Sequence, residues 1–84
     1  MNTPKTPSIS IREILEPVLP PIVFRNYPKF KEQTGYSPRT VANEDCRGTG
    51  PDQRLMVGHV VGYPRDSLIR WLEARTTDRS QKSE

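Results

Sequence analysis

The chain has few of the features that mark secreted or membrane proteins. It contains a single cysteine, Cys46, so no internal disulfide can form, and a reducing, cytoplasmic setting is expected. Only 32% of its 84 residues are hydrophobic, and no apolar run approaches the roughly 20 residues that span a bilayer. No signal-peptide pattern opens the sequence. We therefore expect one small domain with polar ends and no contact with a membrane.

The excess of positive charge is modest and lies in the middle of the chain. The formal net charge at pH 7 is +3. Residues 22–76 contain nine lysines and arginines against six acidic residues, so they carry the whole excess. This charge is compatible with a polyanionic partner such as DNA, although many soluble domains carry as much.

The segment from Phe30 to Asn43 has the pattern of a helix, a tight turn and a second helix. Gly35 suits the left-handed conformation just past a helix end. Ser37 can cap a new helix, and Pro38 fits its first position. A stop and a start so close together make two short helices cross steeply. This is the layout of a DNA-binding helix-turn-helix, and equally of an ordinary pair of helices around a small core.

Hydrophobic spacing and turn residues predict the neighbouring elements. Residues 22–25 form a short apolar entry. The first helix is expected from about Asn26 to Thr34, and the second from Pro38 to about Asp45. Residues 47–51 (Arg-Gly-Thr-Gly-Pro) must be a connection. Their two glycines do not make a phosphate-binding loop, because Pro51 stands where that motif needs a lysine.

A small hairpin and a closing helix are predicted downstream. Two β-branched, apolar runs within residues 54–63 flank Gly58-His59, and glycine at the first of these two positions suits a type II′ turn. Pro64 and Asp66 favour a helix start. In that last helix the expected core residues lie together, with the tryptophan as the largest: Leu68, Ile69, Trp71 and Leu72.

Proline and polar residues predict three parts: a flexible arm over residues 1–21, a folded domain over residues 22–76, and a disordered tail over residues 77–84. The arm is ambiguous, because Ser8 to Ile11 alternates like a strand, whereas its apolar residues follow helical spacing after a possible cap at Ser10. Those apolar residues are Ile11, Ile14, Leu15 and Val18. We expect the arm to dock either on its own domain or on a neighbouring copy.

Helix, turn, helix, Gly-rich connection, hairpin and closing helix follow one another in the order of a winged helix-turn-helix, an α+β fold that is mainly α. Four motifs accompany this order: Gly35-x-Ser37-x-Arg39-Thr40, residues 47–51, Val57-Gly58 with Val61 and Tyr63, and Asp66-x-Leu68-x-x-Trp71-Leu72. Together, between Asn26 and Arg75, they resemble the excisionase branch of the MerR-like winged-helix proteins. That branch includes the excisionases (recombination directionality factors) of phages and integrative elements, and AlpA-type regulators.

The resemblance implies that the second helix enters the major groove of double-stranded DNA and that the hairpin, as a wing, touches the adjacent minor groove. The groove-facing candidates are then Ser37, Arg39 and Asn43, with Pro38 at the helix tip. Arg39 would reach guanine or a phosphate, and Asn43 would pair with adenine. The implied wing contacts are Arg54, Gly58 and His59. Four basic residues are expected to neutralise phosphates: Lys29, Lys31, Arg54 and Arg65.

Three positions depart from the family pattern. Glu44 stands where a large apolar residue is common, and Asp45 follows it. We expect either that the recognition helix ends early or that these acids turn to solvent, and both would weaken the attraction to phosphate. His59 replaces the usual arginine of the wing tip, and Lys31 replaces a small apolar residue.

As a function, the resemblance implies an architectural DNA-binding protein. Several copies would bind side by side at an attachment site, bend the DNA, and direct an integrase or other recombinase towards excision of a mobile element. One alternative is an AlpA-like transcription regulator that uses the same surface at a promoter. Another is a protein-binding adaptor, which the Glu44-Asp45 pair favours. Binding to DNA would place the protein in the bacterial cytoplasm, with the nucleoid.

Enzymatic activity is not expected. Cys46 and His59 form the only thiol–imidazole pair, and no third group is evident to orient them. Two such residues cannot supply the four ligands of a zinc site. The sequence therefore predicts no catalytic residues, no metal site and no cofactor.

Overall fold

The computed structural model describes residues 10–76, which form four helices and one three-stranded antiparallel sheet. The helices are α1 (Ile11–Leu15), α2 (Phe30–Thr34), α3 (Pro38–Arg47) and α4 (Arg65–Arg75). The strands are β1 (Ile22–Phe24), β2 (Leu55–Val57) and β3 (Val60–Pro64). The predicted α+β fold of winged helix-turn-helix type is confirmed, with α1 and β1 added to the predicted two helices, two-stranded wing and closing helix.

The turn between α2 and α3 has the predicted backbone conformation, with a left-handed glycine after α2. Gly35 adopts φ +82°, a left-handed conformation that is costly for a residue with a side chain. α2 is shorter than predicted and begins at Phe30 rather than near Asn26. The reason is a pair of preceding turns, in which Tyr27 N–H donates to the Phe24 carbonyl and Phe30 N–H donates to the Tyr27 carbonyl.

α3 begins as predicted and continues two residues beyond the predicted end. The Thr40 N–H donates to Ser37 Oγ at 3.1 Å, so Ser37 caps the helix, and Pro38 occupies its first turn. At the other end Gly48 has φ +79°, and its N–H donates to the Asp45 carbonyl. A left-handed glycine of this kind is a common way to end a helix.

The sheet has the order β1-β3-β2, so the predicted hairpin forms two of its three strands. Gly58 at the turn has φ +64°, and among residues 10–76 no non-glycine residue has positive φ. The predicted type II′ turn, in which the first central residue alone has positive φ, is therefore confirmed. The short apolar entry is β1, whose Val23 pairs with Tyr63 of β3. A Cβ on Gly62 would lie 2.7 Å from the Ile22 side chain, so this position has room only for glycine.

The core lies between the sheet, the helix-turn-helix and α4. Its buried hydrophobic residues are Leu15, Leu19, Val23, Phe30, Val41, Tyr63, Leu68, Ile69, Trp71 and Leu72. The predicted anchor Trp71 packs against Tyr36, with ring centroids 5.2 Å apart, and its indole N–H donates to the Thr49 carbonyl at 2.8 Å. The tryptophan therefore ties the connection after α3 to the closing helix.

Residues 10–21 dock on their own domain, which is one of the two alternatives that the sequence leaves open. Leu15 and Leu19 are each only 3% exposed. Arg65 fixes this segment through its backbone N–H, which donates to the Pro21 carbonyl at 2.8 Å. Residues 10–21 therefore pack with the folded domain, because the small core includes these two leucines. Residues 1–9 of the predicted arm and the predicted tail, 77–84, lie outside the described residues.

Candidate nucleic-acid interface

The outer face of α3 carries the two predicted base-reading residues. Arg39 and Asn43 are both exposed. They are four residues apart and therefore lie on the same side of the helix. Val41 is fully buried and turns the opposite side towards the core. Three further exposed residues extend this face, and the sequence reasoning missed them although they follow helical spacing from Arg39 or Asn43: Thr40, Cys46 and Arg47.

The tip of α3 is built by Ser37 and Pro38, which are both half-buried. Besides accepting the Thr40 N–H, Ser37 Oγ lies 3.0 Å from Thr40 Oγ1. The Ser37 hydroxyl is therefore used to begin the helix, and its contribution to the candidate interface is to hold the helix tip in place.

Positive charge that is free of ion pairs concentrates near the helix-turn-helix. Within residues 10–76, six arginines form ion pairs with acidic side chains: Arg12, Arg25, Arg47, Arg54, Arg70 and Arg75. In the same part of the chain, four basic residues form none: Lys29, Lys31, Arg39 and Arg65. The first three of these four are exposed and belong to α2, its N-cap or α3. Glu32, also exposed, offsets one of these charges.

Arg65 differs from the other three basic residues. Its Nη1 donates to the Leu19 carbonyl at 3.0 Å and to the Glu16 carbonyl at 3.4 Å. Part of its guanidinium is therefore already used to hold the segment after α1. Its predicted phosphate contact depends on the remaining donors.

Asp45 is turned inward, contrary to both expectations for the acidic pair. α3 continues to Arg47, and the Asp45 side chain is only 5% exposed. Its Oδ2 accepts hydrogen bonds from Arg25 Nη2 at 2.7 Å and from the Tyr63 hydroxyl at 2.6 Å. Burial, together with the hydrogen bond to Asp45, raises the pKa of Tyr63 to about 12. This network ties the end of α3 to the sheet.

The second oxygen of Asp45 accounts for the position of Arg54 beside α3 and for the glycine at position 50. Oδ1 is buried without a hydrogen-bond partner among residues 10–76, and Arg54 Nη1 lies 3.5 Å from it. A Cβ on Gly50 would collide with this oxygen, so the carboxylate needs glycine there. The Arg54 charge, predicted for the wing contact, is consequently shared with the end of α3.

Glu44 is also neutralised inside the domain. It accepts a hydrogen bond from Thr49 Oγ1 at 2.5 Å and another from Arg75 Nη2 at 2.9 Å. The hydrogen bond from Thr49, with the charges of Arg47 and Arg75, lowers the pKa of Glu44. The acidic pair neither shortens α3 nor faces solvent, and its predicted repulsion of phosphate is largely cancelled by these cations.

The tip of the wing is the turn between the end of β2 and the start of β3. Gly58 and His59 are exposed, and Arg54, just before β2, has a side chain that is 54% exposed. Such a turn can approach a nucleic-acid backbone closely because Gly58 has no side chain. The predicted wing residues are thus accessible, and Arg54 connects them to the end of α3.

Neither a metal site nor a membrane-spanning helix is found in the part of the chain that the structure describes. Within residues 10–76, no three His, Cys, Asp or Glu side chains come together as a metal site would require. No helix in the same range combines the length and apolar character needed to cross a lipid bilayer.

Comparison of the chain with protein-family models, with curated proteins and with solved structures gives no match.

Proposed function

We propose that this protein binds double-stranded DNA in a sequence-dependent way, with α3 in the major groove and the wing against the neighbouring backbone. The observation that carries the proposal is the position of the unpaired cations. Lys29, Lys31 and Arg39 lie on the helix-turn-helix, whereas the ion-paired arginines of α1 and α4 already have carboxylate partners. Unpaired surface cations can neutralise phosphates without first breaking an internal ion pair.

Arg39 and Asn43 have the chemistry for base recognition on this face. An arginine can donate two parallel hydrogen bonds to guanine O6 and N7, and an asparagine can pair with adenine N6 and N7. Both side chains are exposed and four residues apart. The internal pairing of Glu44 and Asp45 also removes the feature that favoured a protein-binding adaptor.

The biological role that we propose is that of an excisionase. A domain of this size buries only about 600–1,000 Å² of its own surface on DNA, which is too little for high specificity by a single copy. Adjacent copies on repeated sites would add specificity and bend the DNA. An integrase that assembles on bent DNA would then be directed towards excision. This role rests on the resemblance of the four sequence motifs, with a promoter-binding regulator as its alternative.

The DNA-binding proposal is tested with duplexes that the wild-type protein selects from a random pool. Arg39→Ala should weaken binding to the selected duplex by about 1–3 kcal/mol, and Asn43→Ala should relax the preference at one base pair. Arg70→Ala is the matched control, because it removes the same charge from α4, where Arg70 pairs with Asp52 and Asp66. Equal losses for Arg39→Ala and Arg70→Ala would contradict the proposal.

The role is tested with an excision assay that contains the integrase of the same mobile element and its attachment sites. Wild-type protein should increase excision, and Arg39→Ala should not. An unchanged yield of excision, together with binding to a promoter fragment, would favour the regulator. A truncation at Pro20 is unsuitable as a control, because it would remove the buried Leu15 and Leu19.

A further inference from the structure

The exposed apolar side chains of the wing are not explained by contacts with phosphate. All three residues of β2 are exposed, with Met56 at 68% and Val57 at 56%. Phosphate is contacted by basic and polar side chains, and β2 has neither. Proteins that enter the minor groove, by contrast, often place apolar side chains against the DNA and read the bases with Asn, Gln, Arg or Lys. The wing has the apolar part of this pattern.

An apolar depression lies beside the turn of the wing. Its volume is about 210 Å³, and it is lined by Phe24, Asn26, Val57 and Val60. The two valines are paired across the turn. The Phe24 ring lies against Gly62, where an added Cβ would be 2.8 Å from it. The three apolar residues share the face of the sheet opposite to the core, because strand residues alternate between faces.

Asn26 is the one polar residue of this depression, and the fold does not use its side chain. α2 begins at Phe30 with Lys29 as its N-cap, so Asn26 does not cap it. Asparagine is common in turns partly because it tolerates the left-handed conformation, yet no non-glycine residue among residues 10–76 has positive φ. The Asn26 side chain is exposed, and within the same range it forms no hydrogen bond.

Asn26 lies close to both parts of the candidate interface. The Arg25 N–H donates to the Val61 carbonyl at 2.9 Å, so the chain still runs beside β3 where Asn26 follows. The Arg25 guanidinium donates to Asp45, in the last turn of α3, at 2.7 Å. Asn26 is therefore at the same end of the sheet as the wing turn, next to a residue that is bonded to α3.

An asparagine amide can distinguish the two kinds of base pair in the minor groove. An A·T pair presents two acceptors there, adenine N3 and thymine O2, and the amide nitrogen carries two protons that match them. In a G·C pair the guanine N2 amino group stands between the corresponding acceptors and meets the amide nitrogen donor to donor. A donor left without an acceptor in a closed contact is costly. The amide therefore favours A·T.

We propose that Asn26 is a specificity-determining residue that contacts an A·T base pair in the minor groove, beside the bases contacted by α3. Phe24, Val57 and Val60 would pack against the neighbouring deoxyribose. This inference rests on the proposed DNA binding and adds to it a base contact from the wing side. The contact of α3 in the major groove does not require it, so the two can be tested separately.

Base analogues separate minor-groove contacts from major-groove contacts. Duplexes that the wild-type protein selects from a random pool should be enriched in A·T on the wing side of the bases contacted by Arg39 and Asn43. One such A·T pair is replaced by G·C or by inosine·cytosine. Inosine lacks the N2 amino group, so its pair resembles A·T in the minor groove and G·C in the major groove. Wild-type protein should bind the G·C duplex about tenfold more weakly and the inosine duplex like the A·T duplex.

Three variants assign this preference to a side chain. Asn26→Ala should bind the three duplexes alike, because the amide is gone. Asn26→Asp keeps the shape but replaces both donors by acceptors, so its preference should reverse towards G·C. Both should melt at the wild-type temperature, since position 26 is exposed. Asn43→Ala, the matched control, removes an amide from α3 and should keep the preference for A·T and inosine over G·C at the wing-side pair.

Several results would overturn the assignment. Wild-type protein that binds the inosine and G·C duplexes equally would exclude a minor-groove contact, because these duplexes differ by the amino group alone. An Asn26→Ala variant that keeps the wild-type preference would exclude Asn26, and so would a selected pool without A·T on the wing side. In each case the loss caused by Arg39→Ala would show that α3 still binds. Failure of the proposed DNA binding is distinct, since wild-type protein would then select no duplex and both proposals would fall.

Discussion

Basic residues are mostly ion-paired in the layer formed by α1 and α4 and mostly unpaired on the helix-turn-helix, with Arg65 and Arg47 as the respective exceptions. In the layer, Arg12 donates to Asp66 at 2.7 Å and to both oxygens of Glu73 at 3.2 Å. Arg70 pairs with Asp52 at 3.0 Å and also with Asp66. On the helix-turn-helix, by contrast, Lys29, Lys31 and Arg39 have no ion pair among residues 10–76.

This comparison shows why a net charge of +3 says little about a partner. Apart from Arg65 at the start of α4, the cations of the layer are paired with acidic side chains, and their hydrogen bonds lower the pKa of Asp66 (from Arg12) and of Asp52 (from Arg70). What can attract DNA is the unbalanced charge, and that charge is concentrated on one part of the surface. The position of unpaired charge, rather than its sum over the chain, is therefore the informative quantity.

The largest effect is expected at Asp45, because this acid belongs to α3 yet is paired internally like the acids of the layer. Asp45→Ala should lower the free energy of unfolding by roughly 3 kcal/mol, since it leaves Arg25 and the Tyr63 hydroxyl without their shared partner. Urea denaturation measures the change. Asp52→Ala is the control, because its exposed pair with Arg70 should contribute much less. A similar loss in both variants would contradict the assigned difference between buried and exposed pairs.

The same network predicts a loss of stability at high pH. The pKa of Tyr63 is raised from 10 to about 12 in the folded protein, so the neutral hydroxyl stabilises the fold fully below pH 10. That contribution, about 2–3 kcal/mol, should disappear as the pH rises through 12. Urea denaturation between pH 9 and 12 should show the decline for wild type. Tyr63→Phe should lack this step, and an equal decline in that variant would assign it to other groups.

A smaller effect is expected at the wing, where a further unpaired cation can be added. His59→Arg should tighten binding to a selected duplex by about 0.2–1 kcal/mol, the usual range for an exposed charge pair. Ala74→Arg adds the same charge on exposed α4 and should change the affinity less. Fluorescence anisotropy at low salt measures both affinities. Equal gains would mean that total charge, and not its position, controls binding.

The parts of the fold that were predictable have local causes. Gly35 and Gly58 have the positive φ angles that their turns require, and Ser37 caps α3 through its own side chain. Each of these signals depends on neighbouring residues in the sequence and needs no distant partner. The order of the helix-turn-helix, the wing and the closing helix could therefore be predicted from such positions.

The parts that were missed depend on distant contacts. β1 is three residues long and is stabilised by pairing with β3 some 40 positions later. α1 has five residues, too few for an isolated helix, and is stable because Leu15 packs in the core. The candidate site could not be predicted in full for the same reason. Asp45 is held by Arg25 and Tyr63, which are distant from it in the sequence. Nothing in the local sequence around Asp45 indicates that it is buried.

The most direct test of the difference between the two regions is the salt dependence of DNA binding. Removing two unpaired cations with Lys29→Gln/Lys31→Gln should reduce the slope of log Kobs against log salt concentration by about 1.8, or about 0.9 for each phosphate that is no longer neutralised. Removing two paired cations with Arg12→Gln/Arg70→Gln should leave the slope at its wild-type value, measured well below the melting temperature. Equal reductions in the two double variants would contradict the claim that the unpaired cations of the helix-turn-helix are the ones that meet DNA.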